Sequence, residues 1–84
     1  MANRYLVYGR RNCPYCIRAV DLLNARDEEN IFFDFTEDPL AITEAKNFYN
    51  VSTVPIIVQN NKIFGKTTLI GGYTELKEYF NDKV

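Results

Sequence analysis

Histidine is absent from this 84-residue chain, cysteine occurs twice, proline three times, and no apolar run is long. Each shortage closes off a class of function. Zinc takes four ligands, so with no histidine and no third cysteine one molecule cannot close a thiolate or imidazole site around Cys13 and Cys16. A membrane span needs roughly 20 consecutive apolar residues, and nothing here approaches that, so a soluble protein is expected. Met1-Ala2-Asn3-Arg4 passes straight into a strand-like run without the architecture of a signal peptide. The expected location is therefore the reducing cytoplasm, where a dithiol is catalytic rather than structural.

Charge is close to balance, with ten basic and eleven acidic residues and a net charge of −1, which argues against a nucleic-acid binder. Its distribution is uneven. Arg4, Arg10, Arg11, Arg18 and Arg26 all precede residue 27 beside the single acid Asp21, whereas Asp27, Glu28, Glu29, Asp34, Glu37, Asp38 and Glu44 follow with no base among them. A positive field around Cys13 supports a thiolate and draws an anionic substrate. Arg18 and Arg26 read simply as solvating a helix face.

What the chain does contain is Cys13-Pro14-Tyr15-Cys16. Two cysteines three residues apart on a helix stand one turn apart, within disulfide reach. Proline suits a first helical position, because its φ is already helical and its missing N–H would have had no partner there. That puts Cys13 at a helix N-terminus, where open amide N–H groups and the positive end of the helix dipole favour a thiolate over a thiol. Cys16, one turn in and facing the scaffold, reads as a protonated reserve thiol. A structural bridge across so short a loop would restrict the unfolded chain little, so redox chemistry is the favoured reading of the pair.

At this length one domain, residues 1–84, is expected. Tyr5-Leu6-Val7-Tyr8, closed by Gly9, reads as a buried strand. Cys16, Ala19, Val20 and Leu23 recur at helical spacing to about Arg26. Ile31–Phe35 reads as a second strand. Asp38 is the expected N-cap and Pro39 the first residue of a second helix, whose face is marked by Ala41, Ala45, Phe48 and Tyr49, with the aromatics expected in the core. Pro55–Val58 reads as a third strand, Gln59–Lys62 as a turn and Ile63-Phe64 as the start of a fourth strand, with Gly65–Leu69 unplaced. A last helix follows Gly71-Gly72 from about Thr74, with Leu76, Tyr79 and Phe80 inward. The order β-α-β-α-β-β-α places the first three strands in crossover units and the last pair in a hairpin, hence an α/β fold with a four-stranded mixed sheet flanked by helices. Cys13 then lies at the C-terminal edge of a strand, where open α/β sheets place their ligands.

Cys13–Cys16, Thr53-Val54-Pro55 and Gly71-Gly72 followed by Tyr73-Thr74-Glu75 stand in the order and approximate spacing of the glutaredoxins, and the chain resembles that family over nearly its whole length. The resemblance implies a thioredoxin-like fold and a glutathione-dependent thiol-disulfide oxidoreductase of the CPYC, dithiol type. Cys13 would be its nucleophile and Cys16 its resolving thiol. It implies a cis-proline loop at Thr53-Val54-Pro55 that offers the Val54 main chain to the cysteinyl part of glutathione, as an added strand would pair. It implies that Gly71-Gly72 allows close backbone approach, that Tyr73 and Thr74 present backbone N–H groups to the γ-glutamyl carboxylate and that Glu75 pairs with its ammonium. Arg10 stands where relatives carry a lysine for the glycyl carboxylate, with Arg11 as the fallback, and Tyr15 stands beside the bound disulfide.

Two departures stand out. Val51 occupies a place where relatives often have a base, which leaves the glycyl carboxylate to Arg10 and Lys46. The segment Ile63–Ile70 is longer than usual, and its polar part is expected to loop beside the site. By the same resemblance glutathione is co-substrate with no resident cofactor or metal, and the partners are glutathione and disulfide-bonded or glutathionylated proteins, ribonucleotide reductase among them. A monomer is expected. Three rivals are a similar protein fed by thioredoxin reductase, a Cu(I) chaperone using the cysteine pair, and an iron-sulfur-bridged dimer, which the bulk of Tyr15 disfavours.

Overall fold

Alternation along the first strand decides the layout of the rest. The computed structural model describes residues 2–81. Strand β1 (Asn3–Gly9) buries Tyr5, Val7 and Gly9 and leaves Leu6 and Tyr8 for the opposite side, since successive strand side chains point to opposite faces. There follow α1 (Pro14–Ala25), β2 (Asn30–Asp34), α2 (Pro39–Tyr49), β3 (Ile56–Asn61), β4 (Thr67–Gly71) and α3 (Tyr73–Asn81). The strands form one sheet in the order β2-β1-β3-β4. β1 and β2 are parallel, while β3 runs antiparallel to both β1 and β4, so the sheet is mixed.

Helices α1 and α3 pack side by side on the face that carries Tyr5, Val7 and Ile57, and add Ala19, Leu23, Leu76 and Phe80 to one core. Val7, Leu23, Ile57 and Leu76 are fully buried, and such a side chain contributes about 1.5–3 kcal/mol relative to an exposed one. Helix α1 presents Cys16, Ala19 and Leu23 inward at helical spacing. On the other face Tyr8 stacks on Phe33 with ring centroids 5.0 Å apart and meets Tyr49 of α2 at 6.1 Å. Asp38 caps α2 by accepting from the Ala41 N–H at 3.1 Å, with Pro39 as the first helical residue.

The register puts one end of the sheet in charge of the site. Gly9 pairs with Asp34, Tyr8 with Ile56 and Ile57 with Gly71, so β1, β2 and β4 all finish where β3 begins. The loops before α1, before β3 and before α3 therefore meet at that edge.

Several sequence expectations need correction. The third strand is not a crossover strand: the chain after α2 returns to the edge where β2 ended, so β3 must run the opposite way. Gln59 and Asn60 continue β3 instead of turning, because their side chains have long-range partners. Gln59 Nε2 donates to the Tyr79 hydroxyl at 2.7 Å, and Asn60 Oδ1 accepts from Arg4 Nε at 3.0 Å. The turn lies one step later, where Asn61 Oδ1 accepts from the Ile63 and Phe64 N–H groups and Gly65 takes a φ of +73°. Ile63 and Phe64 are thus exposed turn residues, and β4 begins at Thr67. The longer segment does not loop beside the site. Asn3 pairs with Asn61 and Lys62 N–H donates to the Ala2 carbonyl, so the turn sits at the opposite end of the sheet. Phe48 is 80% exposed, and Ile42 is the buried residue of α2 in its place.

Candidate active site

Cys13 is the N-cap of α1, in extended conformation (φ −104°, ψ 114°), with Pro14 the first helical residue. Its carbonyl accepts the first intrahelical bond from Ile17, and its side chain makes no capping bond, so the sulfur is not committed to the helix. Cys13 is half-buried, and neither cysteine is in a disulfide. Cys16 is fully buried. Burial pushes its thiol up to about 12; a backbone hydrogen bond from Arg10 works against this, and the hydrogen-bonded Cys13 sulfur works with it. The pair is therefore asymmetric, one sulfur within reach of solvent and one held as a thiol.

The room for Cys16 comes from Gly9. A Cβ added there would stand 2.3 Å from Cys16 Sγ and 3.3 Å from its Cβ, so only glycine lets α1 set this sulfur against the end of β1. The loop between them is clamped from β2. Arg11 N–H donates to Thr36 Oγ1 at 2.9 Å and to Asp34 Oδ1 at 3.3 Å, and its guanidinium pairs with Asp34 at 2.9 Å and Glu37 at 3.1 Å. The Thr36 hydroxyl and amide, with Arg11, hold the Asp34 carboxyl well below the usual carboxylate range. Arg11 is thus committed and unsuited to its fallback role. Arg10 makes no ion pair among the described residues.

Facing this loop, the Val54–Pro55 peptide bond is cis. Val54 precedes the first ladder residue of β3, and its main-chain N–H and C=O have no partner among the described residues. At the third loop the first N–H groups of α3 lack intrahelical acceptors by position. Glu75 turns back over its own helix start: its Oε1 accepts from Gly72 N–H at 2.7 Å, and a Cβ at Gly71 would meet its side chain at 2.9 Å. This is half of a capping box, the N-cap being a glycine with no side chain to return the bond.

Tyr15, Thr53, Val54, Pro55, Gly72, Tyr73, Thr74 and Glu75 together line one groove of about 410 Å³. Every residue assigned to substrate binding is brought there except the three cations named for the glycyl carboxylate, Arg10, Arg11 and Lys46. Glu75, Thr53, Pro55 and Gly72 also border a neighbouring groove of about 290 Å³, which is completed by Val51, Ser52 and Gly71. The sequence reading missed Gly9, the Asp34–Thr36–Glu37 clamp and the second groove. A glycine closing the strand before Cys13 was the one local signal for the first, while the others depend on residues distant in sequence. Among the described residues no group of three or more His, Cys, Asp or Glu side chains is placed to hold a metal ion.

The family model for glutaredoxin matches residues 6–64. Among solved structures, a buckwheat glutaredoxin in complex with glutathione superposes with a TM-score of 0.78 at 21% identity, covering 96% of this chain and 71% of that one. A dithiolic glutaredoxin from Trypanosoma brucei brucei gives 0.74 at 27% identity over 96% and 80% of the two chains. Reduced Escherichia coli glutaredoxin gives 0.65 at 27% over 94% of each. No curated protein matches the chain. The matched segment spans the cysteine pair, the cis-proline loop and the strands that carry them, and the fold agrees along nearly the full length: the chain belongs to the glutaredoxin family, a thiol-disulfide oxidoreductase of thioredoxin-like fold.

Proposed function

We propose that the protein reduces glutathione mixed disulfides and protein disulfides with glutathione as the electron source. The observation that carries this is the unpaired main chain of Val54 in the same groove as the open N-terminus of α3. A γ-glutamyl tripeptide would use both, its cysteinyl residue pairing with Val54 as an added strand and its γ-glutamyl carboxylate taking the Tyr73 and Thr74 N–H groups. Arg10, without an ion pair among the described residues and preceding the cysteine pair, is the cation for the glycyl carboxylate. Glu75 would release Gly72 N–H, or share it, to meet the ligand ammonium.

Cys13 is the nucleophile. Its thiolate attacks the glutathione sulfur of a mixed disulfide, forming a Cys13–glutathione bond as the bond to the substrate sulfur breaks, and the substrate leaves as a thiol with a solvent proton. A second glutathione thiolate then attacks that adduct, releasing glutathione disulfide and the Cys13 thiolate. On a protein disulfide, such as that of ribonucleotide reductase, Cys13 bonds to one substrate sulfur as the other leaves as a thiol, and Cys16 then displaces the first, leaving a Cys13–Cys16 bond for two glutathiones to reduce. With no histidine in the chain, protons come from solvent, Cys16 or the leaving thiol.

The test is reduction of a glutathionylated peptide in the presence of glutathione and glutathione reductase. Cys13→Ser should fall to the uncatalysed rate and Cys16→Ser should keep much of the activity. Full activity in Cys13→Ser, or turnover supported by thioredoxin reductase and not by glutathione, would overturn the proposal.

A further inference from the structure

On the outer side of the groove, two of its rings carry cations. Tyr15, 54% exposed, and Tyr73 lie with centroids 5.9 Å apart. The Arg18 guanidinium carbon is 5.2 Å from the Tyr15 centroid, and Lys77 Nζ is 5.2 Å from that of Tyr73. The result is a continuous row, Arg18–Tyr15–Tyr73–Lys77, running from α1 to α3. Neither cation has an ion-pair partner among the described residues, although Asp21 shares α1 with Arg18 and Glu75 and Glu78 share α3 with Lys77. Glu75 directs its carboxylate to Gly72 N–H instead.

Both rings line the groove, but neither cation does. A tripeptide seated in the groove therefore leaves Arg18 and Lys77 untouched, and only a larger substrate crossing the rim meets them. Each ring holds its cation in place, which lowers the ordering cost of pairing with an incoming charge. Two cations with no ion-pair partner among the described residues, flanking an apolar platform, select for negative charge.

We propose that this row is a docking surface for protein substrates whose disulfide-bonded or glutathionylated cysteine is flanked by acidic residues. The proposal rests on the disulfide-exchange reading above and adds its substrate class: the tyrosine rings cover the apolar part of the segment while Arg18 and Lys77 pair with acids on either side of the reacting cysteine.

The experiment compares kcat/KM for two glutathionylated peptides that differ only in Asp/Glu or Lys flanks, with the glutathione mixed disulfide of 2-mercaptoethanol as a substrate without flanks. At low salt the acidic peptide should be preferred by about 3- to 30-fold, as expected for two exposed ion pairs, and the preference should shrink at 1 M salt. R18Q/K77Q should bring the two peptides together and R18E/K77E should favour the basic one, both with unchanged turnover of the small disulfide. Equal turnover of the two peptides by the wild type, or a preference that survives charge reversal, overturns the docking surface alone. Turnover of none of the three substrates overturns the disulfide-exchange reading and the docking surface with it.

Discussion

Gly9→Ala is the substitution through which the scaffold most directly reaches the cysteine pair. The new methyl would lie 2.3 Å from Cys16 Sγ where ordinary contact begins at 3.4 Å, so sulfur or strand must yield by about 1 Å. The strand is poorly placed to do so: Gly9 is paired with Asp34, and its carbonyl accepts from Phe35 N–H at 2.8 Å. Cys16 is fully buried on a helix packed against the sheet. Overpacking of this kind costs about 1–3 kcal/mol, and a domain of this size loses about 4–8 °C of Tm per kcal/mol. Urea unfolding of the reduced protein measures the cost, and a double-mutant cycle assigns it. Cys16→Ala removes the sulfur, so Gly9→Ala should be cheaper by about 1 kcal/mol or more in that background. If the two substitutions add within about 0.5 kcal/mol, the sulfur is not what Gly9 accommodates and the reasoning fails.

Brief treatment of the native protein with iodoacetamide at neutral pH should label Cys13 and spare Cys16, whose thiol is buried and pushed up to about 12; peptide mapping that found Cys16 labelled first would contradict the asymmetry of the pair. The Asp34 carboxyl is held below its ordinary value in the folded state, so its contribution to stability is present above about pH 4 and fades as the pH falls through the folded value. Asp34→Asn should therefore lower Tm at pH 7 and converge with the wild type in strong acid, whereas a constant Tm difference down the acid limb would mean that the hydrogen bonds from Thr36 and Arg11 do not depend on the charge of the carboxylate. Glu75→Ala, which leaves Gly72 N–H without its acceptor, should cost about 0.5–1.5 kcal/mol in urea unfolding, with Glu75→Gln recovering part of it.

Features encoded locally were legible before any coordinates. The start of α1 follows from one proline placed after one cysteine, and the start of α2 from Asp38 and Pro39. Features decided by distant partners were not. Gln59 and Asn60 carry turn-like side chains, yet Tyr79 and Arg4 engage those side chains across the fold and the strand continues. Periodicity marks an apolar face on α2 but cannot rank Ile42 above Phe48, because the shape of the sheet beneath decides which side chain fits. Arg10 and Arg11 are neighbours of one residue type, and only the position of β2 commits the second while the first makes no ion pair among the described residues. Arg18, read as mere solvation, gains meaning from a ring on its own helix that meets a ring on another.

In the proposed reaction Cys13 exchanges directly with glutathione bound in the groove of Tyr15, Val54 and Tyr73. Intact-mass analysis of the Cys16→Ser variant after mixing with glutathione disulfide tests it most directly. A single glutathione adduct is expected, mapped to Cys13 and removed by excess glutathione. A variant that stays unmodified, or one that keeps its adduct against excess glutathione, would contradict it.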